Sequence, residues 1–135
     1  MIDRKFPKSR LRRLRRSSNL INLVSENTLS ANDLIQPLFI KEDLDGSESI
    51  DSMPNINRYG LKDILKEIED VLDNGINTIA LFPVINPDKK DENGGEAVNE
   101  NNLISTAIKN IKKEFPEIIL IADVALDPYT SHGHD

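Results

Sequence analysis

Three apolar runs punctuate an otherwise polar chain: Leu34-Ile35-Gln36-Pro37-Leu38-Phe39-Ile40, Ile76-Asn77-Thr78-Ile79-Ala80-Leu81-Phe82 and Ile118-Ile119-Leu120-Ile121-Ala122-Asp123-Val124. Runs of this length bounded by turn residues predict strands, and the unbroken third one predicts a strand buried on both faces. Pro37 has no N–H to give a ladder, so it marks a bulge, a strand end or an edge, and Pro83 closes the second strand. Between the runs the period changes. Leu61, Ile64, Leu65, Ile68, Val71 and Leu72 recur at helical spacing, with Lys62, Asp63, Lys66, Glu67 and Glu69 between them. This predicts an amphipathic helix with a solvated charged face, ended by Asn74-Gly75. Leu103, Ala107, Ile111 and Phe115, flanked by Ile104 and Ile108, predict a second helix that stops before Pro116.

The order strand–helix–strand–helix–strand, with strands starting at 34, 76 and 118, predicts a parallel α/β sheet. Right-handed crossovers bring the three strand C-termini to one edge, from which Ile40-Lys41, Phe82-Pro83 and Asp123 onward depart. A (β/α)8 barrel and a doubly wound sheet share this pattern. No Gly-x-Gly-x-x-Gly follows any strand, which lowers the dinucleotide-binding option. A closed barrel takes about 250 residues, so 135 residues form either an open three-stranded unit or the front portion of a longer protein. Elsewhere, residues 20–33 predict a short helical segment with Ser30 and Asp33 as a cap or turn, and residues 41–52 an acidic, turn-rich connection. Residues 84–99 form a long polar loop, a length usually tied to function or mobility. Gly94-Gly95 lacks the following Gly-Lys-Ser/Thr of a phosphate loop.

Composition narrows the classes. The absence of Cys removes disulfides, thiolate metal sites and a thiol nucleophile. No run reaches the ~20 apolar residues of a membrane span, and no apolar segment follows the charged N-terminus as in a secretory signal. The expectation is a soluble, cytoplasmic protein. The net charge of −6 conceals an asymmetry: residues 1–16 carry eight basic side chains against Asp3, a net +7, leaving −13 on the remainder. Residues 1–19 therefore read as a basic arm, with Leu11 and Leu14 able to anchor a helical turn, and residues 20–135 as the body. A solvated tail, an arm docking on a neighbouring copy and a nucleic-acid clamp all fit. The clamp is weakened by having Phe6 as its only aromatic residue.

The last stretch concentrates the chemistry. After the third apolar run, Asp123, Asp127, Tyr129, Ser131, His132, His134 and Asp135 fall within thirteen residues, broken by Pro128 and Gly133. A buried strand delivering ionisable groups to its C-terminal end is where α/β proteins place their sites. The carboxylates suit Mg2+ and other hard cations, while the imidazoles of His132 and His134 favour Zn2+ or Fe. On spacing alone an equally simple account has Asp123 capping a turn and the histidines bonding to backbone groups.

The full motif Asp-Val-Ala-Leu-Asp-Pro-Tyr-Thr-Ser-His-Gly-His-Asp over 123–135 resembles the metal-loop signature of the porphobilinogen synthase (δ-aminolevulinic acid dehydratase) family. Arg10-Leu11-Arg12-Arg13-Leu14-Arg15 resembles that family's arginine-rich start. Glu26-Asn27-Thr28-Leu29-Ser30, Asp33-Leu34-Ile35-Gln36-Pro37-Leu38-Phe39, Ser52-Met53-Pro54 and Ala80-Leu81-Phe82-Pro83 match further blocks in order. The resemblance implies the N-terminal part of a (β/α)8 TIM barrel with an extended arm. Its implied reaction condenses two molecules of 5-aminolevulinate to porphobilinogen in haem synthesis through two Schiff-base lysines. Those lysines belong past Asp135, so this piece alone is expected to be inactive; Lys41 and Lys89 lie outside the family's lysine contexts.

Zinc-dependent members carry cysteines where this chain has Ala125, Asp127 and Asp135. The resemblance is therefore to the aspartate-rich subtype that uses Mg2+ and often K+, with no three-cysteine Zn2+ site. In that subtype the stimulatory Mg2+ lies outside this loop. Asp123 matches an active-site aspartate able to orient the substrate amine or assist proton transfer. Asp127 and Asp135 are metal-binding or substrate-orienting candidates, and Ala125, Tyr129, Ser131, His132 and His134 complete the loop. Arg10, Arg12, Arg13 and Arg15 match an arm that wraps a neighbouring barrel in a homo-octamer, a partner choice that needs neither nucleic acid nor membrane. The alternatives are another barrel enzyme with a carboxylate–metal loop, or an anion- or nucleic-acid-binding module led by the arm.

Overall fold

A computed structural model describes residues 5–7, 9 and 12–134. The chain divides into two compact units, residues 1–30 and 31–135. In the first, a 3-10 turn at Arg13–Arg15 stands where the sequence predicts a turn around Leu14, and helix α1 spans Ser18–Leu23. Ser17 caps α1, its hydroxyl accepting the Leu20 N–H at 3.3 Å. The short helical segment predicted within 20–33 thus starts two residues earlier, and a separate 3-10 turn at Ala31–Asp33 opens the second unit. None of the described residues of the first unit is buried.

The second unit holds a five-stranded sheet in the order β2-β3-β1-β4-β5. The strands are β1 (Gln36–Lys41), β2 (Ser47–Ser49), β3 (Asn57–Tyr59), β4 (Thr78–Val84) and β5 (Ile119–Ala122). The three predicted strands β1, β4 and β5 run parallel and adjacent, as the alternating pattern requires. The stretch 41–52, read as a turn-rich connection, contains β2, and β3 follows it: β3 pairs parallel to β1 at Phe39–Arg58 and Ile40–Tyr59, and β2 pairs antiparallel to β3. Three polar residues each, without alternation, give no strand signal.

Pro83 does not end its strand; it lies inside β4, opposite Ile40. The β4–β5 ladder stops at Leu81–Ala122 and the β1–β3 ladder starts at Phe39, so Pro83 and Pro37 both lie where their strand has one neighbour. A missing N–H is tolerated on an unpaired side. The Pro37 carbonyl accepts from the Gln36 side-chain amide at 3.1 Å.

Strand alternation sorts the sheet into two faces. Leu38 and Ile40 of β1 and Ile79 and Leu81 of β4 are buried against helices α2 (Asp63–Asp73) and α3 (Leu103–Glu114), through Ile64, Ile68, Val71, Leu103, Ala107 and Ile111. Each fully buried side chain among them, such as Ile40 or Ile68, is worth ~1.5–3 kcal/mol. Helix α2 ends as predicted: Gly75 has φ +82°, its N–H reaches the Leu72 carbonyl at 2.8 Å, and Ile76 N–H reaches Val71 at 3.2 Å. Helix α3 starts on the buried Asn102, whose Oδ1 accepts the Ser105 N–H at 2.8 Å.

The opposite face is covered by neither α2 nor α3, which both lie on the buried one. It carries Pro37 and Phe39, Ala80 and Phe82, then Ile119 and Ile121, with the Phe39 and Phe82 rings 5.7 Å apart. Ile119 is 57% and Ile121 42% exposed. This corrects the expectation of a third strand buried on both faces: the apolar run is there, but one of its faces is open. No described helix is long and apolar enough to cross a membrane.

Candidate functional site

The loops leaving the C-terminal ends of β1, β4 and β5 share one edge of the sheet. At the end of β1, Lys41 pairs with Glu48 of β2 at 2.6 Å, and Arg58 of β3 reaches the other oxygen of Glu48 at 2.8 Å. The Lys41 hydrogen bond, and then that of Arg58, hold the Glu48 carboxyl below its ordinary range. One residue on, Glu42 pairs with Lys89 from the loop after β4 at 2.5 Å. Lys41, Glu42 and Arg58 line a cleft of about 500 Å3 together with Val84, Ile85 and Pro87. Glu42 raises the Lys89 pKa, with Glu96 adding to it. A Schiff-base lysine needs the opposite shift. Lys41 and Lys89 are both ion-paired at the protein surface.

The loop after β5 leaves on the open face. Continuing the β5 alternation puts Asp123 on the side of Ile119, Ile121 and Phe82, and Asp123 is exposed. Its side chain makes no hydrogen bond to any described residue. The chain then turns, with Tyr129 N–H on the Leu126 carbonyl at 2.8 Å and Thr130 N–H on the same group at 3.1 Å. Tyr129 is buried in the core cluster, where burial, and secondarily Glu96, raise the phenol pKa. Thr130 is buried too, its hydroxyl donating to the His134 carbonyl at 3.0 Å and facing that of Asp127 at 3.4 Å. Ala125 is half-buried; Asp127, Ser131, His132 and His134 are exposed.

The His132 and His134 rings stack at 6.1 Å and 18°. His132 Nδ1 accepts the His134 N–H, and Nε2 lies 3.3 Å from the Glu92 carbonyl. The two bonds together require the hydrogen on Nε2. One nitrogen of His132 thus serves its own loop and the other ties it to the loop after β4. Asp135 lies outside the described residues, as does Arg10; Arg12, Arg13 and Arg15 are exposed. Among the described residues, no three His, Asp or Glu side chains are gathered as a metal site.

A second loop, 85–99, backs the first. Asp91 and Thr130 form a parallel bridge: Asp91 N–H faces the Tyr129 carbonyl at 3.4 Å, and Ser131 N–H donates to the Asp91 carbonyl at 2.9 Å. Gly94, with φ +64°, lies against Leu126, Tyr129 and Thr130, where a Cβ would come within 3.5–3.7 Å of them. The Asp91 carboxylate accepts the N–H groups of Asn93 at 2.7 Å and Gly95 at 3.1 Å. These bonds, Gly95 first, hold its pKa below the ordinary carboxylate range. Sequence reading passed over Asp91 and Glu96. Asp91 followed by Asn93-Gly94-Gly95 is a turn signature, but its pairing with residue 130 has no local signal.

Comparison with known proteins assigns this arrangement. Residues 8–135 match the family model described as Delta-aminolevulinic acid dehydratase. The delta-aminolevulinic acid dehydratase of Bradyrhizobium diazoefficiens is 47% identical over 126 residues, covering 93% of this chain and 36% of that protein. That of Chlamydia pneumoniae is 43% identical over 126 residues, covering 93% and 38%. The chain thus spans somewhat more than a third of the length of these relatives. The crystal structure of the Toxoplasma gondii ME49 enzyme, in complex with the reaction product porphobilinogen, superposes with a TM-score of 0.87 at 40% identity. It covers 94% of this chain and 36% of that one.

Proposed function

The chain belongs to the delta-aminolevulinic acid dehydratase family, and on that premise we propose that it is the N-terminal part of a porphobilinogen synthase acting in haem biosynthesis in the cytoplasm. The complete enzyme condenses two molecules of 5-aminolevulinate to porphobilinogen with loss of water. The observation that carries this reading is the loop 123–134, launched from the C-terminal end of β5 on the sheet's open face. Strand C-termini are where barrel enzymes hold their substrates.

In this reading the open face, with Phe39, Phe82, Ile119 and Ile121, is the interior of a (β/α)8 barrel closed by further strands. The Schiff-base lysines come from those strands. Asp123, exposed beside this interior, orients the substrate amine or relays its proton. Asp127 and Asp135 bind a metal or orient substrate, while Ala125, Tyr129, Ser131, His132 and His134 shape the loop. A chain without Cys cannot offer three thiolates to Zn2+, and its carboxylates suit Mg2+, accompanied by K+. No three His, Asp or Glu side chains gather among the described residues, and Mg2+ usually takes one or two carboxylates together with waters. A net +7 on residues 1–16 against −13 on the rest supports an arm that grips a neighbouring copy in a homo-octamer.

The test is porphobilinogen formation from 5-aminolevulinate by the complete gene product, stripped with EDTA and resupplied with Mg2+ or Zn2+. Turnover restored by Mg2+ and abolished by borohydride trapping is the expected result. No turnover with either metal sinks the reading.

A further inference from the structure

Asp91 acts in two directions. Its side chain folds its own turn: one oxygen takes the N–H groups of Asn93 and Gly95, and the other lies 3.3 Å from the Gly95 nitrogen. Its main chain takes hold of the neighbouring loop through the bridge to Thr130. The turn that the carboxylate closes supplies two further holds. The Glu92 carbonyl meets His132 Nε2, and Gly94, kept in the left-handed region, leaves room for Leu126, Tyr129 and Thr130. The segment carrying Asp127, Ser131 and His132 thus hangs on a rail whose shape is set by one exposed carboxylate on a different loop.

We propose that Asp91 is a positioning residue of the site, fixing turn 91–95 so that its backbone holds residues 126–134 in register at the end of β5. It touches no reacting atom; it acts through the amides of Asn93, Gly95 and Ser131. The proposal rests on the reaction assigned above for its effect on turnover, but not for its effect on the loop. An oxygen acceptor at this position is required and a full negative charge is not, because Oδ1 receives the Asn93 N–H and the shorter of the two Gly95 contacts. Asparagine retains that oxygen; alanine does not.

The test compares Asp91→Ala, Asp91→Asn and Gly95→Ala in the complete gene product, following hydrogen exchange by segment together with kcat and KM. Asp91→Ala is expected to speed exchange over 126–134 at least about tenfold while β1 and β4 stay protected. It is expected to lower kcat by ~10- to 100-fold, the cost of misplacing a site by about an ångström, with a smaller change in KM. Asp91→Asn recovers most of both. Gly95→Ala, whose Cβ would fall 2.7 Å from Asp91 Oδ2, shifts both in the direction of Asp91→Ala without removing the acid. It therefore serves if Asp91→Ala does not fold. Unchanged exchange over 126–134 in Asp91→Ala and Gly95→Ala overturns the proposal, whatever happens to turnover. So does loop loosening with turnover intact. A parent protein that never turns over 5-aminolevulinate defeats the assigned reaction, while the exchange comparison still decides the role of Asp91.

Discussion

The loops after β4 and β5 leave the same sheet edge with similar polarity and use it in opposite ways. In the loop after β4, the side chains of Asn86, Lys89, Asp91, Glu96 and Asn99 are committed to structure. Asn86 accepts from Asp88, Asp91 from Asn93 and Gly95, Asn99 from Asn101, and Lys89 crosses to Glu42. The buried Asn102 closes the set, donating to the carbonyls of Ala97 and, at 3.4 Å, Glu96. In the loop after β5, the holding is done by backbone groups, Thr130 and His132, while Asp123 and Ser131 bond through their side chains to no described residue. One loop is scaffold. The other is held against the first, through the Asp91–Thr130 bridge and the His132–Glu92 contact.

That division can be broken from either side. The largest expected effect is on activity: Asp123→Ala in the complete enzyme should lower kcat by ~10²–10⁴-fold, the range of a lost proton-transfer group. Its stability should stay within about 0.5 kcal/mol of the parent. A large loss of stability in denaturant titration would move Asp123 to the scaffold. Asn102→Ala should do the reverse, costing about 2–3 kcal/mol in the same titration. It removes the α3 cap and strands two carbonyls. Gly94→Ala should cost about 1–2 kcal/mol from the left-handed backbone alone, since its Cβ meets Leu126 and Thr130 at ordinary contact distance. A cost near zero would mean that the turn is not fixed.

The smallest effect is one of pH. The folded state depresses the Asp91 pKa, so its carboxylate contributes stability above the unfolded value of about 3.9. That contribution is lost as pH falls through the lower folded value. The Gly95 amide resonance should therefore titrate with a midpoint below the ordinary aspartate value; a midpoint at or above it would contradict the two amide bonds.

Much of this fold is legible in the residue pattern, because the pattern and the burial follow the same periods. Leu38, Ile40, Ile79 and Leu81 alternate along strands, and Ile64, Ile68, Val71, Ala107 and Ile111 recur along helices. The hairpin of β2 and β3 is not legible, since Ser47–Ser49 and Asn57–Tyr59 are held by backbone pairing and by the charge cluster of Lys41, Glu48 and Arg58. Pro83 misleads because a proline's meaning depends on whether its strand has a neighbour on that side, which is a fact of the sheet. At the site, the acids and histidines of 123–134 announce themselves by density. Asp91 does not, because its contribution is a backbone bridge across thirty-nine positions of sequence. The burial of Tyr129 is likewise set by packing against the core.

With no Trp in the chain and Tyr59 and Tyr129 its only two tyrosines, the Tyr129 phenol doubles as an optical gauge of the loop. It sits between the core and Glu96, and burial holds its proton above the usual phenol range. The docked loop is thus favoured below the unfolded phenol value near 10 and disfavoured as pH rises through the folded one. Burial raises the Tyr59 phenol as well, so the gauge is read in Tyr59→Phe: phenolate absorbance arriving late in an alkaline titration is then the signature of a seated loop, and arriving early it marks one that has come away.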